Sequence, residues 1–297
     1  MLHVSCAADA RYVPHTAAML HSVLTEAGFD DVRVHFLRGE GVTEEHARAL
    51  TEMVGAHGGA ISFLDVPEDR VAGLPTMDEI GPPMWYRFFL TELLPDVERI
   101  LYLDADTIVL DSLRPLWETD LDGCHVAAVT NVFQEDHIPL PARLGLEPRD
   151  YFNSGVLLMN LDLMRRDGST AALLEYARAN AERLVWPDQD VLNAVLGHTR
   201  RRLAPRWNCM TSVLRFPWAA YVFGADELEE ARRRPAIRHF EGPSVNKPWH
   251  FLCDGDRREA YFQHRRQTPW PRVRREGVTP ANLVRRAWLP VRWRLRG

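Results

Sequence analysis

Residues 100–110, ILYLDADTIVL, are the stretch that most constrains the fold. Four apolar residues lead into Asp104 and Asp106, and apolar residues then resume. A short, continuous apolar run is typical of a strand that is buried on both faces, as in the parallel sheet of an α/β protein. Ligands of such sheets bind outside the carboxyl ends of the strands, so we expect a site at this point.

The two carboxylates are the first candidate ligands. Side chains two residues apart lie on the same side of an extended segment, which would bring Asp104 and Asp106 together across Ala105. Paired hard oxygen ligands suit Mg²⁺ or Mn²⁺. The alternative reading is that the Asp–Ala–Asp triplet only ends a strand and starts a turn.

Composition favours an ordinary globular protein. The chain has 297 residues, of which 46% are hydrophobic and 26% charged, enough for one large α/β domain. No apolar run reaches the ~18 residues that a membrane-spanning helix needs, and the N-terminal MLHVSCAADA lacks the basic start of a signal peptide. The cysteines are scattered without CxxC spacing, which argues against a disulfide framework or a zinc site. We therefore expect a reducing, cytoplasmic location.

The charge is divided unevenly along the chain. Residues 257–297 hold twelve Arg and two acids, a net charge of +10, which leaves −15 on residues 1–256. Within this tail, residues 280–297 place Trp and Leu at roughly helical spacing among arginines, which predicts an interfacial helix on an anionic membrane surface. The alternative is a solvated Arg-rich end, and Pro290 interrupts a continuous helix. Nucleic acid is disfavoured as a partner because the acidic body would be repelled.

Lysine usage singles out one residue. Of the 36 basic residues 35 are Arg, so that Lys247 is the sole lysine. A compact ammonium and a planar guanidinium are not interchangeable at a crowded anion site. Lys247 is therefore a candidate functional residue.

The order of predicted elements indicates the fold class. Strands are predicted at residues 2–8, 32–37, 61–66, 100–104, 126–130, 151–161 and 236–240, and the main helices at residues 12–27, 43–54, 84–94, 169–184 and 188–196. Alternation of this kind predicts an α/β protein with a mostly parallel sheet and right-handed crossovers. Residues 200–236 carry few signals and are predicted to be loop-like. We expect one domain over residues 1–256 and a basic, aromatic-containing helical tail over residues 257–297.

Polar groups gather at the strand ends and the turns that follow them: Asp9, Asp104, Asp106, Asn153, Ser154, Asp188, Gln189, His239 and Lys247. Two carboxylates and an imidazole form a three-ligand set for Mn²⁺. Gly242 lets backbone N–H groups approach a phosphate, and Lys247 supplies a point charge. Taken singly, Asn153–Ser154 reads as a tight turn, Asp188 as a helix N-cap and His239 as a core histidine. Together they predict a divalent-metal site for a nucleotide diphosphate, where the metal would offset charge on a departing diphosphate.

These residues lie in blocks with a recognisable order. The blocks are AADARY at residues 7–12, YR at 86–87, YLDADTIVLDSLRPLW at 102–117, YFNSGVLLMNL at 151–161, DQDVLN at 188–193 and HFEGPSVNKPWH at 239–250. The chain resembles the family 8 glycosyltransferases, the group that includes bacterial lipopolysaccharide galactosyltransferases and glycogenin. The resemblance covers residues 1–250 in the order of the family.

The resemblance implies a GT-A fold, a single Rossmann-like domain, and retaining transfer of glucose or galactose from a UDP-sugar in glycan biosynthesis. By this resemblance, Mn²⁺ or Mg²⁺ would be bound by Asp104, Asp106 and His239. The uridine would be bound by Ala7, Asp9 and Tyr12, and the diphosphate by Gly242 and Lys247. The rest of the donor would be bound by Arg87, Ala105, Asn153, Ser154 and Asp188. Gln189 would lie beneath the anomeric carbon. It is a poor nucleophile, which fits a front-face mechanism in which the leaving phosphate deprotonates the acceptor. Asp190 or Asp188 as a true nucleophile stays open.

The chain departs from the family pattern in two places. Residues 243–246 separate Gly242 from Lys247, where the family usually has two residues, so this loop must bulge. Asn131 stands where the galactosyltransferases carry an acidic residue on the acceptor side. The acceptor, whether a glycan, a lipid-linked glycan or a small molecule, therefore does not follow from the resemblance.

Two other functions use the same residues. The DxDxT stretch also begins haloacid-dehalogenase-type phosphatases, which usually carry it on the first strand, whereas three predicted strands precede it here. Those enzymes also need a lysine and a later acidic pair after another apolar strand; Lys247, Asp254 and Asp256 are present, but no strand lies between them. A sugar-nucleotide-binding protein without turnover is the second alternative, and the intact set of Asp, Gln and His residues argues against it.

Overall fold

Two sheets organise the chain in the computed structural model, which describes residues 1–77, 81–272 and 274–286. The strands are β1 (Leu2–Ala8), β2 (Val32–Arg38), β3 (Ala60–Asp65), β4 (Arg99–Leu103), β5 (Thr107–Val109), β6 (Val126–Thr130), β7 (Phe152–Asn160), β8 (Arg200–Leu203), β9 (Cys209–Met210) and β10 (Ile237–His239). Seven of them form the central sheet in the order β3-β2-β1-β4-β7-β6-β8, and the small sheet has the order β5-β10-β9.

The helices cover the central sheet. They are α1 (Val13–Glu26), α2 (Glu44–Ala56), α3 (Glu68–Val71), α4 (Leu90–Leu93), α5 (Arg114–Trp117), α6 (Leu161–Arg166), α7 (Ser169–Ala179), α8 (Pro187–Leu196), α9 (Thr211–Arg215), α10 (Ala219–Val222), α11 (Ala225–Arg233) and α12 (Arg258–Arg265). Helix α2 shows how local sequence sets a helix boundary, since the Thr43 hydroxyl at its N-cap accepts a hydrogen bond from the His46 N–H. The buried face of α2 carries Leu50 and Val54. None of the helices in the described ranges is long and apolar enough to cross a bilayer.

The central sheet is parallel except at β7. Strand β7 runs antiparallel to both β4 and β6, while β3, β2, β1 and β4 run parallel to one another and β8 runs parallel to β6. The predicted α/β class, a mostly parallel central sheet flanked by helices, is confirmed. The reversal brings the first residues of β7 to the sheet edge where β4 ends.

Two local predictions were wrong. Residues 82–89 form a 3₁₀ helix, and only Leu90–Leu93 are α-helical in the segment predicted as one helix. Residues 200–236 are not loop-like, because they form β8, β9 and three short helices. The Arg-rich sequence of β8 hid an edge strand whose charged side chains face solvent.

The basic tail is described only in part. Helix α12 packs on α1. At this contact Tyr261 is buried, and its hydroxyl is hydrogen-bonded to His15 Nδ1 over 2.7 Å. Residues 280–286 are helical, and the rest of the predicted interfacial helix, residues 287–297, lies outside the described residues. The division into residues 1–256 and 257–297 stays a prediction.

A histidine pair on the central sheet makes the stability of the fold depend on pH. The imidazole of His35 on β2 lies 2.9 Å from His3 Nδ1 and 3.0 Å from Ser62 Oγ. Burial, and then the nearby His3, lower the pKa of His35 from 6.5 to about 4. In the unfolded chain this imidazole takes up a proton near its ordinary pKa, so the unfolded state binds more protons between these two values. Its contribution to stability is therefore lost as the pH falls through this window.

We predict that His35 alone lowers the free energy of unfolding by about 2 kcal/mol between about pH 7 and about pH 5. Urea titrations at several pH values measure this, and His35→Gln, which keeps a polar partner for Ser62, should flatten the slope. His198→Gln, at an exposed histidine, should keep the wild-type slope. An unchanged slope in His35→Gln would contradict the prediction.

Candidate active site

The central aspartates lie on a turn between the two sheets. Strand β4 ends at Leu103, and residues 104–106 form the turn that leads into β5. The Asp104 N–H donates to the Gly155 carbonyl over 2.8 Å, and the Thr107 hydroxyl donates to the Asp104 carbonyl over 2.8 Å. The two carboxylates therefore converge through a turn, not through the extended alternation that the sequence predicted.

Strand β10 carries His239 to this turn. It pairs antiparallel with β5 so that His239 lies opposite Thr107. His239 Nε2 is 3.2 Å from Asp106 Oδ1 and 3.9 Å from Asp104 Oδ2, and one ligand atom from each of the three residues lies within 4.8 Å of the others. Two carboxylate oxygens and an imidazole nitrogen are a donor set that fits Mn²⁺.

A glycine leaves the space that this cluster needs. A Cβ on Gly155 would lie 2.6 Å from Asp104 Oδ2 and would collide with the His239 ring. On its far side, His239 Nδ1 lies 2.9 Å from the side-chain oxygen of Asn208. Metal-binding histidines usually make such a contact through the nitrogen that does not hold the metal. The residues present therefore fit a divalent cation.

The charges around Asp106 balance within the cluster. Lys247 Nζ pairs with Asp106 Oδ2 and donates to the Phe240 carbonyl over 3.2 Å. Burial opposes ionisation of Asp106, but Lys247 and His239 outweigh it and hold the pKa of that carboxyl well below its usual range. The same pairing raises the pKa of Lys247 against the effect of burial. Asp106 is thus an anion with one cation already beside it.

Arg87 joins the metal cluster to a second acidic position. Its Nη2 lies 3.2 Å from both Asp104 Oδ1 and Asp188 Oδ2, and its Nη1 donates to the Ser154 carbonyl. The guanidinium also stacks over Tyr102, with Cζ 4.0 Å from the ring centroid. Burial raises the pKa of Asp188 to about 6, and Arg87 opposes that rise. The buried Arg87 guanidinium therefore fixes the positions of the Asp104 and Asp188 carboxylates relative to each other.

Gln189 lies beside Asp188 at the start of α8. Its side-chain oxygen accepts hydrogen bonds from the Ser154 N–H over 2.9 Å and from Asn153 Nδ2 over 3.1 Å. Asn153 also reaches Asn131, with 3.5 Å between their side-chain nitrogen and oxygen. The start of β7 thus fixes the side chain of Gln189. Asn131, the residue expected on the acceptor side, contacts the same Asn153 side chain.

Asp190 occupies a different environment from its two neighbours. It has no exposed surface, and its oxygens accept from Tyr151 Oη, from Arg143 Nη2 and from the N–H groups of Val185 and Trp186. Four hydrogen bonds use the lone pairs that a nucleophile would offer. This geometry favours a structural role for Asp190.

The expected uridine residues lie at the end of β1 and the start of α1. Asp9 Oδ1 accepts from the N–H groups of Arg11 and Tyr12, and Asp9 Oδ2 pairs with the exposed Arg11 over 2.9 Å. Tyr12 lies edge-on to Trp249, with ring centroids 5.9 Å apart. Ala7 precedes them on β1. Asp9 thus orders this turn whether or not it also binds a nucleotide.

The loop before Lys247 takes up its extra residues as a short helix. Gly242 has φ +85°, a conformation that side chains other than glycine rarely adopt. Ser244–Asn246 then form one 3₁₀ turn, and Asn246 Nδ2 donates to the Glu241 carbonyl over 2.9 Å. The bulge expected from the sequence is this turn, and it still delivers Lys247 to Asp106.

Most of the predicted site residues meet at the edge formed by the ends of β4 and β10 and the start of β7. Those directly linked are Arg87, Asp104, Asp106, Asn153, Ser154, Asp188, Gln189, His239 and Lys247. Sequence reasoning missed three others: Tyr151 and Arg143, which hold Asp190, and Asn208, which holds His239. Nothing in the sequence around Asn208 marks it, because its partners are distant in the chain.

The chain is similar to known proteins. The profile of Glycosyl transferase family 8 matches residues 3–253. The chain belongs to glycosyltransferase family 8. General stress protein A of Bacillus subtilis is 29% identical over 276 residues, with 91% of this chain and 95% of that protein covered. A putative glycosyltransferase of Haemophilus influenzae is 24% identical, with 85% of this chain and 74% of that protein covered.

Solved structures agree on the fold. The galactosyltransferase LgtC, solved with donor and acceptor sugar analogues, superposes with a TM-score of 0.81 at 26% identity, and covers 96% of this chain and 100% of the LgtC chain. The predicted GT-A fold and glycosyltransferase class of the family 8 chain are confirmed. A phosphatase built on the DxDxT stretch is not supported, because the family match runs through that stretch and on to Cys253.

We predict that Gly155→Ala weakens Mn²⁺ binding by at least about tenfold, because the new methyl group displaces Asp104 or His239 from the cluster. Electron paramagnetic resonance of free Mn²⁺ during titration measures the dissociation constant. Gly55→Ala, where an added Cβ meets nothing within 4 Å, is the matched control and should bind as the wild type does. Equal affinities for the wild type and Gly155→Ala would show that the cation binds elsewhere.

Proposed function

We propose that this family 8 glycosyltransferase transfers glucose or galactose from a UDP-sugar to an acceptor hydroxyl with retention of configuration, and that it depends on Mn²⁺ or Mg²⁺. The observation that carries the proposal is the continuity of the site. Asp104, Asp106 and His239 converge on one point, and Arg87 connects that point to Asp188 and Gln189. A metal-bound diphosphate and the sugar attached to it need this adjacency.

On the diphosphate side, Asp104, Asp106 and His239 would hold the cation, which neutralises charge on the leaving diphosphate. Lys247 pairs with Asp106, and the backbone N–H groups at Gly242, which has φ +85°, would bind phosphate oxygens. Lys247 would exchange part of its contact with Asp106 for a phosphate oxygen. The charges of these side chains would thus stabilise the departing group.

On the sugar side, Asp188 and Arg87 would bind the donor hydroxyls together with Asn153 and Ser154. Gln189 would lie beneath the anomeric carbon, and one solved LgtC structure is an active-site mutant in which a glutamine is replaced by glutamate. An amide is a weak nucleophile, so a front-face reaction is favoured, with the leaving phosphate accepting the proton of the acceptor. Asp190 already accepts four hydrogen bonds and would position Tyr151 and Gln189 instead of attacking.

The nucleoside side rests on fewer contacts. Ala7, Asp9 and Tyr12 would hold the uridine, and Ala105 would let the ribose approach the turn between the two aspartates. The aromatic ring of Tyr12 is supported by Trp249 and is partly accessible. Galactosyltransferase LgtC was solved with donor and acceptor sugar analogues, which supports a sugar nucleotide and a glycan as the two substrates here. The acceptor would face Asn131.

We predict slow hydrolysis of one donor, UDP-glucose or UDP-galactose, measured as UDP release with Mn²⁺ and lost with EDTA. Asp106→Asn should reduce the rate by at least about 100-fold, because several kcal/mol of charge stabilisation depend on the cation. Asp122→Asn, at an exposed carboxylate, is the matched control and should react as the wild type does.

The outcomes of this assay separate the parts of the proposal. If neither donor is hydrolysed, calorimetry of each donor with Mn²⁺ decides. Binding without turnover would replace the proposed donors or require an acceptor for turnover. No binding of any UDP-sugar would overturn the proposal in favour of another donor class.

The basic tail would bring the enzyme to an anionic membrane surface on the cytoplasmic side. The described part of the tail adds one observation: a cavity of about 510 Å³ lined by Arg265, Arg272, Arg274, Trp270 and His15. Within the part of the chain that the structure describes, the hydrogen-bond partners of the Arg265 guanidinium are all neutral: the Trp270 carbonyl, His15 and Tyr261. Clustered arginines beside an indole favour anionic headgroups.

We predict that the full chain co-sediments with vesicles containing phosphatidylserine or phosphatidylglycerol but not with phosphatidylcholine alone, and that salt weakens binding. Arg272→Glu with Arg274→Glu should weaken binding at least about tenfold, since each basic residue near the surface is worth about 1 kcal/mol. The double change Arg232→Glu with Arg234→Glu, at exposed positions at the C-terminal end of α11, carries the same charge change and should bind normally. Equal loss in both pairs would contradict a site in the tail.

A further inference from the structure

A line of buried polar side chains runs from Asp190 to the metal cluster. In order, its members are Asp190, Tyr151, Gln189, Asn153, Asn208 and His239, and each is at most 9% exposed. The consecutive members are hydrogen-bonded over 2.6, 3.2, 3.1, 2.8 and 2.9 Å. We call this line the polar chain. It connects two parts of the site that are far apart in the sequence.

The direction of the polar chain is fixed at its first member. A carboxylate can only accept, so Tyr151 Oη must donate to Asp190 Oδ1. A hydroxyl that donates its proton there offers a lone pair to Gln189 Nε2, which donates to it. The amide of Gln189 is thereby oriented, with its oxygen turned towards the start of β7.

Backbone groups confirm the same direction at the next two members. Gln189 Oε1 accepts from Asn153 Nδ2 and also from the Ser154 N–H. Asn153 Oδ1 accepts from Asn208 Nδ2 and also from the Gly155 N–H over 3.0 Å. A backbone N–H can only donate, so Ser154 and Gly155 fix both amide orientations independently of Asp190.

The polar chain ends on the imidazole that belongs to the metal cluster. With its nitrogen turned to Asn153, Asn208 presents its oxygen to His239 Nδ1. That nitrogen must then carry the hydrogen, and the lone pair of Nε2 points at Asp104 and Asp106. We propose that Asn208 is a positioning residue that selects the metal-binding tautomer of His239, and that the polar chain couples this choice to the orientation of Gln189.

This inference rests on the proposed metal site and adds a residue that no sequence motif marks. Asn208 has no exposed surface, so neither the nitrogen nor the oxygen of its side-chain amide can turn to water. A leucine of similar volume would fill the space but would remove the partner of His239 Nδ1 and one of the two hydrogen bonds that Asn153 Oδ1 accepts. Buried polar groups that lose their partner are costly, and lost partners of metal-binding histidines typically weaken metal affinity by about 10- to 100-fold.

Two substitutions separate positioning from packing. Asn208→Leu keeps volume and buries no charge, while Asn208→Asp buries a charge but still accepts a hydrogen bond from His239 Nδ1. We expect Asn208→Leu to weaken Mn²⁺ binding by about 10- to 100-fold and Asn208→Asp to bind close to the wild type, even though Asp is the worse residue for stability. A packing role predicts the opposite order, with metal affinity following the unfolding temperature.

Mn²⁺ dissociation constants by electron paramagnetic resonance, with thermal unfolding of each variant, make the comparison. Asn160→Leu is the control, because it removes the side-chain cap of α6, costs about 1 kcal/mol of stability, and lies outside the site. It should bind Mn²⁺ as the wild type does. Equal affinities for Asn208→Leu and the wild type would overturn the inference while leaving the metal site intact. A wild type that does not bind Mn²⁺ would overturn both.

The wild type allows a test that does not depend on a folded variant. A two-bond ¹H–¹⁵N spectrum of the imidazole nitrogens at alkaline pH, where the ring is neutral, reports which nitrogen carries the hydrogen. His239→Gln identifies the signals. The hydrogen on Nδ1 would support the inference, and the hydrogen on Nε2 would overturn it.

Discussion

The buried guanidinium of Arg87 is the interaction on which the rest of this site depends. Asp104 follows strand β4 and Asp188 lies in helix α8, and two carboxylates that are partly or fully buried repel each other and lose hydration. Arg87 lies within 3.2 Å of an oxygen of each, and the face of Tyr102 supports it. Its Nη1 also holds the Ser154 carbonyl, which fixes the start of β7. Without this cation, the distance between Asp104 in the candidate metal cluster and Asp188 beside Gln189 would not be fixed.

A second constraint is that a polar group at this depth is costly unless it finds a partner. Asp190, Asn193 and Asn208 have no exposed surface, and each of their side-chain oxygens and nitrogens makes at least one hydrogen bond to a side chain or to the backbone. Networks of this kind are rigid when they are complete, because the loss of one member leaves its neighbours unpaired in a low dielectric. In this protein, the network has a chemical consequence. It assigns the orientation of Gln189 and the proposed tautomer of His239, the two groups that would meet the donor from opposite ends.

Sequence reasoning reached the candidate metal ligands and missed the residues that orient them, for a physical reason. Asp104 and Asp106 follow an apolar run, and His239 lies at the end of a short predicted strand, so that strand-end position marks them. Asn208 and Tyr151 act through single hydrogen bonds to partners 31 and 39 residues away, and no local pattern encodes such a contact. The extended geometry expected at residues 104–106 also failed, because a turn stabilised by Gly155 and Thr107 replaced it.

By itself, the sequence determined the α/β class, the order of the main strands, the family and the identity of the candidate ligands. These follow from apolar periodicity and from short motifs, which are local properties of a chain. Only the tertiary structure decided that β7 is reversed, that Arg87 bridges two carboxylates, that Asp190 is occupied, and that Asn208 faces His239. Each of these depends on contacts between distant segments, and the directions of the buried hydrogen bonds are set by the whole network at once.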